Sequence, residues 1–293
     1  MKIVTCVYEG KEYAGVLKEG GKVCLLGGVS SVNELIDNGG VKEGYIENGR
    51  DVDMSLVKVL APIPEPKQDV ICLGINYTEH AKESEKFDKA AFGGERPKAI
   101  YFSKRVSSAP GSGDDICGHF DIVDSLDYEA ELGVIIGKDA KNVPLEEVKD
   151  YIFGYTVIND VSARNVQTSH KQWYFGKSLD DFTPMGPCIV TADEIAYPPA
   201  LKITAKVNGE LRQNSTTDLL ITDIDHIISE LSAGMTLKAG TIIATGTPSG
   251  VGMGMDPPCF LKDGDVVEND VHRCSHQLTD HAQVGAAGSG QQI

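Results

Sequence analysis

The feature that most constrains this chain is a pair of apolar, β-branched runs flanked by acids. The first reads Asp127-Tyr-Glu-Ala-Glu-Leu-Gly-Val-Ile-Ile-Gly, and the second Gly154-Tyr-Thr-Val-Ile-Asn-Asp. Runs of this kind read as buried strands, which puts carboxylates where a core should be. Residues two apart on a strand share a face, so Glu129 and Glu131 aim together while Tyr128 and Ala130 face the other way. Converging carboxylates repel unless they share a proton or a cation, and Asp160 at the end of the second run is a third oxygen donor. Three hard oxygens without nearby His or Cys favour Mg²⁺ or Mn²⁺ over zinc. The alternative is an exposed strand edge with solvated acids.

Charge narrows the partners. With 43 acidic against 27 basic residues the formal charge is −16, which argues against nucleic acid or an anionic membrane surface. An acidic substrate then needs a local positive site, and Arg164 and Lys177 lie close to the acid motif. Arg164 has a second reading as a structural counter-charge to Asp160 or Glu129. No long apolar run and no signal-peptide pattern is present, so the expectation is a soluble, cytoplasmic protein. The seven cysteines show no Cys-x-x-Cys pair, and reduced thiols are expected.

Residues 1–62 alternate short strand-like runs with Gly turns, and Ser31 is placed to cap a helix beginning at Val32. The Pro-rich link Ala61-Pro-Ile-Pro-Glu-Pro ends this unit. In the segment that follows, His80 and Glu83 are three apart, so on a helix they share a face within hydrogen-bond reach and form a candidate general base. An exposed His/Glu pair without function is the alternative. The polar run 82–97 suits a mobile lid. Residues 144–150 read as the start of a helix with Leu145, Val148 and Ile152 inward. Asn208-Gly209 reads as a two-residue hairpin turn, and residues 224–232 as a helix burying Ile224, Ile227, Ile228 and Leu231. A strand from Thr241 runs into the loop Gly246-Thr-Pro-Ser-Gly-Val-Gly-Met-Gly. Its Gly pattern matches no nucleotide-binding motif, but its backbone N–H groups can meet a carboxylate.

Four motifs occur in order: Asp127-Tyr-Glu-Ala-Glu-Leu, Asn159-Asp-Val-Ser-Ala-Arg, Gly176-Lys-Ser with Pro184-Met-Gly-Pro, and Ala244-Thr-Gly-Thr-Pro-Ser-Gly-Val-Gly. Together they resemble the fumarylacetoacetate hydrolase family over residues 62–268. The resemblance implies an α+β, predominantly β fold: a mixed β-sandwich or β-roll catalytic domain over 63–268, a small N-terminal domain over 1–62, and a homodimer. It implies a divalent metal held by Glu129, Glu131 and Asp160. It also implies His80 and Glu83 as a dyad on the lid, Lys177 stabilising oxyanion or enolate charge, and substrate contacts from Thr247, Gly246, Gln167, Arg164 and Tyr77. Lys104-Arg105 stands where similar proteins often have Lys-Pro, outside the metal motif. Asn165 stands where many have Asp. Trp173 is read as a packing residue.

The resemblance ends at Glu268. Residues 269–293, with His272, His276 and His281 and a Gly/Ser/Gln end, read as an irregular, disordered tail or as the product of a reading-frame change. The implied reaction is metal-dependent hydrolysis of a carbon–carbon bond in a 2,4-dioxo acid, an acylpyruvate or fumarylpyruvate, with release of pyruvate. The same site serves isomerisation of a 2-hydroxy-dienedioate or decarboxylation of oxaloacetate. A non-catalytic protein that binds a metal or an oxo acid is the reading from another class.

Overall fold

A computed structural model of the chain describes residues 1–94, 98–274 and 280–285. Ten strands form one continuous sheet in the order Arg50–Asp53, Lys22–Leu25, Lys11–Lys18, Lys2–Tyr8, Met185–Thr191, Ile152–Asn159, Ala130–Ile136, Ile242–Ala244, Val70–Gly74 and Ile100–Lys104. A short eleventh, Lys58–Val59, pairs beside Lys2–Tyr8. A second sheet runs Glu210–Thr216, Lys202–Val207, Val266–Val271, Asp280–Gly285 and Ile116–Cys117.

The strand Ala130–Ile136 is buried along its whole length, as its near-unbroken apolar run requires. Its Leu132, Val134 and Ile136 join Ile203, Ala205 and Val271 of the second sheet in one core. Ile135 faces the opposite way, where Ile158 and Ile189 pack with Ile3, Leu35, Ile36 and Ile63. Each such side chain contributes roughly 1.5–3 kcal/mol by leaving water. The predominantly β, α+β sandwich expected from the sequence is the architecture observed.

Local signals hold. The Ser31 side chain accepts from Glu34 N at 3.1 Å and starts the helix Val32–Asp37. Asp223 caps Ile224–Gly234, and Asn208 and Gly209 take φ of 52° and 79°, as a type I′ hairpin turn needs. Residues 145–151 differ from the reading. They form a 3₁₀ helix whose tighter turn buries Val148 and leaves Leu145 exposed.

Two boundaries also shift. Lys2 and Ile3 pair with Val190 and Ile189, so the strands of residues 1–62 extend the central sheet and are not set apart from it. At the other end, Glu268 lies inside the strand Val266–Val271, where Val267, Asn269 and Val271 alternate inward. The buried polar Asn269 and the charged neighbours mask that period-2 pattern in the sequence. Asp280–Gly285 pairs with this strand and, in parallel, with Ile116–Cys117. The irregular tail expected from 269 is thus corrected for the described residues. His272 is exposed, whereas His276 and the side chain of His281 lie outside the described residues. No helix among the described residues is long and apolar enough to cross a membrane.

Candidate active site

Register brings the acids together. Ala130 pairs with Asn159, and Asp160 N donates to Glu129 O at 2.8 Å, so the residue after one strand lies beside the residue before the other. One carboxylate oxygen from each of Glu129, Glu131 and Asp160 lies within 4.8 Å of the others, and all three residues are buried. Period-2 alternation sets the first two, as expected from the sequence.

Buried carboxylates need counter-charges, and the fold supplies three. Lys177 Nζ donates to Glu129 Oε2 at 2.7 Å and to Asp160 Oδ2 at 2.8 Å. Lys104 Nζ donates to Asp160 Oδ1 at 2.5 Å and to Val161 O at 3.0 Å. Arg164 spans Glu129 Oε1 at 2.6 Å, Asp127 Oδ2 at 2.9 Å and Gln167 Oε1 at 3.0 Å. Burial alone would raise the Glu129 pKa, but Lys177 and Arg164 hold it well below the usual carboxylate range. Burial alone would lower that of Lys177, yet Asp160 and Glu129 keep it above its ordinary value. The Lys104 pKa falls, with burial only partly offset by Asp160.

Glu131 is the exception. Its Oε2 accepts one backbone N–H, from Gly246 at 2.8 Å, and no basic side chain among the described residues pairs with it. Burial, then Asp160 and Glu129, push its pKa well above the ordinary value. Counting Asp127, four buried carboxylates face three basic side chains. The missing positive charge lies beside three hard oxygens, and that donor set fits a divalent metal ion.

Above the acids sit the helices Thr78–Phe87 and Lys89–Phe92. His80 Nδ1 is 2.8 Å from Glu83 Oε1, and Gly250 N donates to the Glu83 carboxylate at 3.0 and 3.2 Å. His80, the three residues Glu129, Glu131 and Lys177, and the apolar side chains of Phe92, Trp173 and Met253 line one pocket with about 10 Å³ of free space. That is room for about one water, beneath the two helices that the sequence reading treats as a lid. Ile75, at the base of the lid, holds φ +56°, a left-handed conformation rare for a β-branched residue.

The model of the fumarylacetoacetate hydrolase C-terminal domain matches residues 69–286. The chain belongs to the fumarylacetoacetate hydrolase family. Oxaloacetate tautomerase YisK of Bacillus subtilis is 46% identical over 215 residues, 73% of this chain and 70% of that protein. Among solved structures, a fumarylacetoacetate hydrolase from the psychrophile Exiguobacterium antarcticum shares 39% identity with a TM-score of 0.85, covering 98% of this chain and 99% of the other. A 2-hydroxyhepta-2,4-diene-1,7-dioate isomerase from Mycobacterium marinum shares 27% identity with a TM-score of 0.75, covering 99% and 100%. The match through residue 286 agrees with the strand found beyond Glu268.

Within this family site, the remaining residues named from the sequence have identifiable partners or surroundings. Arg164 is the counter-charge of Asp127 and Glu129, and Gln167 accepts from it while facing the pocket. Thr247 also faces the pocket, but its hydroxyl donates to Ala130 O at 2.9 Å and accepts from Gln213 Nε2 at 2.7 Å. The Gly246 N–H orients Glu131 and is not turned to a ligand. Tyr77 lies outside the pocket lining, its buried hydroxyl without a hydrogen bond among the described residues. Trp173, read as packing, is a pocket wall whose ring meets Phe92 at 5.6 Å and Phe102 at 5.4 Å. Lys104, read as outside the motif, is bonded directly to Asp160. Asp127 and Gln213 went unassigned in the sequence, and both prove to be buried anchors.

Proposed function

We propose that the chain is a divalent-metal-dependent enzyme that interconverts the keto and enol forms of a small 2-oxo acid of the oxaloacetate type. The observation that carries the reading is that His80, held by Glu83, lines one small pocket with Glu129 and Glu131 of the charge-deficient acid triad. The 46% identity to a protein named as an oxaloacetate tautomerase supports the choice of substrate.

Glu129, Glu131 and Asp160 would hold the cation, Mg²⁺ or Mn²⁺ by the hardness of the donors. When bound, it supplies Lewis-acid charge for the carbonyl and adjacent carboxylate oxygens of the substrate. His80 takes a proton from C3, the electron pair passes to the C2 oxygen, and return of the proton to that oxygen gives the enol. Glu83 fixes the imidazole through Nδ1 and so directs Nε2 to the substrate. Lys177, kept charged by Asp160 and Glu129, stabilises the enolate by charge and not by giving up its proton. Closure of Phe92 and Trp173 excludes bulk water from the proton in transit.

A second reading is the carbon–carbon hydrolysis of a 2,4-dioxo acid expected from the sequence, with His80 delivering water. The apolar side chains of Ile75, Phe92, Trp173 and Met253 favour it for a substrate with an uncharged acyl group. The products separate the two: enolisation consumes no water and releases no pyruvate. In either case His80→Ala is expected to lower kcat by about 10²–10⁴-fold with metal binding retained. Ultraviolet-monitored turnover of oxaloacetate and acetylpyruvate, beside metal titration, measures both. Full turnover in that variant would remove the dyad from the mechanism.

A further inference from the structure

The Gly-rich loop after Ala244 directs its backbone N–H groups to carboxylates of the protein itself. Gly246 N holds Glu131 at 2.8 Å, Gly250 N holds Glu83 at 3.0 Å, and Gly252 N and Met253 N hold Asp127 at 2.6 and 3.0 Å. Asp127 in turn binds Arg164, which binds Glu129. One loop therefore positions two acids of the triad and the acid of the dyad. Ile75, Phe92, Val251 and Met253 form a small apolar cluster apart from the main cores, so the loop and the lid also pack together.

Within this loop, Gly254 meets a different neighbour from the others. A Cβ at Gly250 would lie 2.0 Å from Arg212 O, and one at Gly252 would lie 2.4 Å from Cys259 O, both rigid backbone. A Cβ at Gly254 would instead lie 2.3 Å from Glu83 Oε2, 2.5 Å from Cδ and 3.0 Å from Cγ, the far end of a flexible side chain. Gly250 also has φ +104°, whereas Gly254 is outside the left-handed region, so its backbone does not demand glycine.

We infer that Gly254 is a positioning residue: the space left by its missing side chain lets the Glu83 carboxylate seat between His80 and the Gly250 N–H. The inference rests on the dyad acting as the base. An alanine at 254 would move the end of Glu83, at little cost to the fold, and would break its contacts with the imidazole and the loop together.

The test is a double-mutant cycle of Gly254→Ala with Glu83→Ala, following kcat and KM on oxaloacetate, Mn²⁺ affinity, and hydrogen exchange of the lid amides. Gly254→Ala alone is expected to lower kcat on the order of 10²-fold through misplacement of the base, with Mn²⁺ affinity unchanged and lid exchange faster. In the Glu83→Ala background the same substitution should change kcat little, since nothing remains for it to displace. Unchanged kcat in Gly254→Ala, or an equal loss in both backgrounds, would overturn the inference. Turnover surviving His80→Ala would instead overturn the proposed function, and the seating of Glu83 would then be judged by exchange alone, with unchanged lid protection counting against it.

Discussion

Replacing Arg164 by methionine is expected to destabilise the protein by about 3–5 kcal/mol at neutral pH, which for many chains ends in insoluble expression. The guanidinium is 1% exposed and is the shared partner of Asp127 and Glu129, both buried. Methionine fills much of the volume but leaves carboxylates without the charge that offsets their desolvation. Glu129 fixes the pH dependence. Its pKa is held down in the folded protein, so it contributes stability that is present above the ordinary carboxylate range and lost as pH falls through the depressed value. The variant forfeits part of that contribution, and its deficit should narrow as pH falls into the ordinary carboxylate range. Urea unfolding at pH 7 and at about pH 4, within the ordinary carboxylate range, measures both, and a deficit that widens at the lower pH would refute this electrostatic account.

Glu131→Gln is expected to act in opposite directions on stability and function. The Glu131 pKa is raised by burial and by Asp160 and Glu129, so its neutral form is the comfortable one in the metal-free fold. A raised carboxyl pKa means that metal-free stability is lost as pH climbs from the unfolded-state value through the raised folded value. Glutamine keeps an acceptor for Gly246 N and removes that loss. The metal-free variant should therefore be more stable than the parent at neutral pH. Activity should fall to background, because the neutral amide removes one of three charged ligands. In the parent protein, cation binding should release a proton, detectable by calorimetry in buffers of different ionisation enthalpy. A destabilised variant that retains metal and activity would show that Glu131 is a structural acid.

Much of this site was legible because its chemistry is local. Glu129 and Glu131 share a face by strand periodicity, His80 and Glu83 by helix periodicity, and each pair is found together. Asp160 was legible as the acid ending the second strand run and Lys177 as a basic residue close to the acid motif, and the family motifs pointed to the same two residues. What escaped was fixed by pairing between distant segments. Lys104 reaches Asp160 because Ile100–Lys104 pairs with Val70–Gly74, which in turn lies beside Ile242–Ala244 and Ala130–Ile136. The loop from Gly246 was correctly read as an array of N–H donors, but its partners are separated from it by more than 100 residues and could not be named. Trp173 was assigned from the usual habit of tryptophan, whereas its role depends on Phe92 and Phe102 arriving from other elements. The strand at Val266–Val271 was cut short because a buried Asn interrupts its apolar alternation.

The central claim is that the three buried acids work through a divalent cation. Its most direct test is a titration of chelator-treated protein with Mg²⁺ and Mn²⁺, following keto–enol interconversion of oxaloacetate by ultraviolet absorbance beside Glu129→Gln. Turnover that is absent after chelation, returns in step with metal occupancy and stays absent in the variant is the predicted result. A full rate in chelated protein, or no turnover of any 2-oxo acid when the cation is bound, would contradict it.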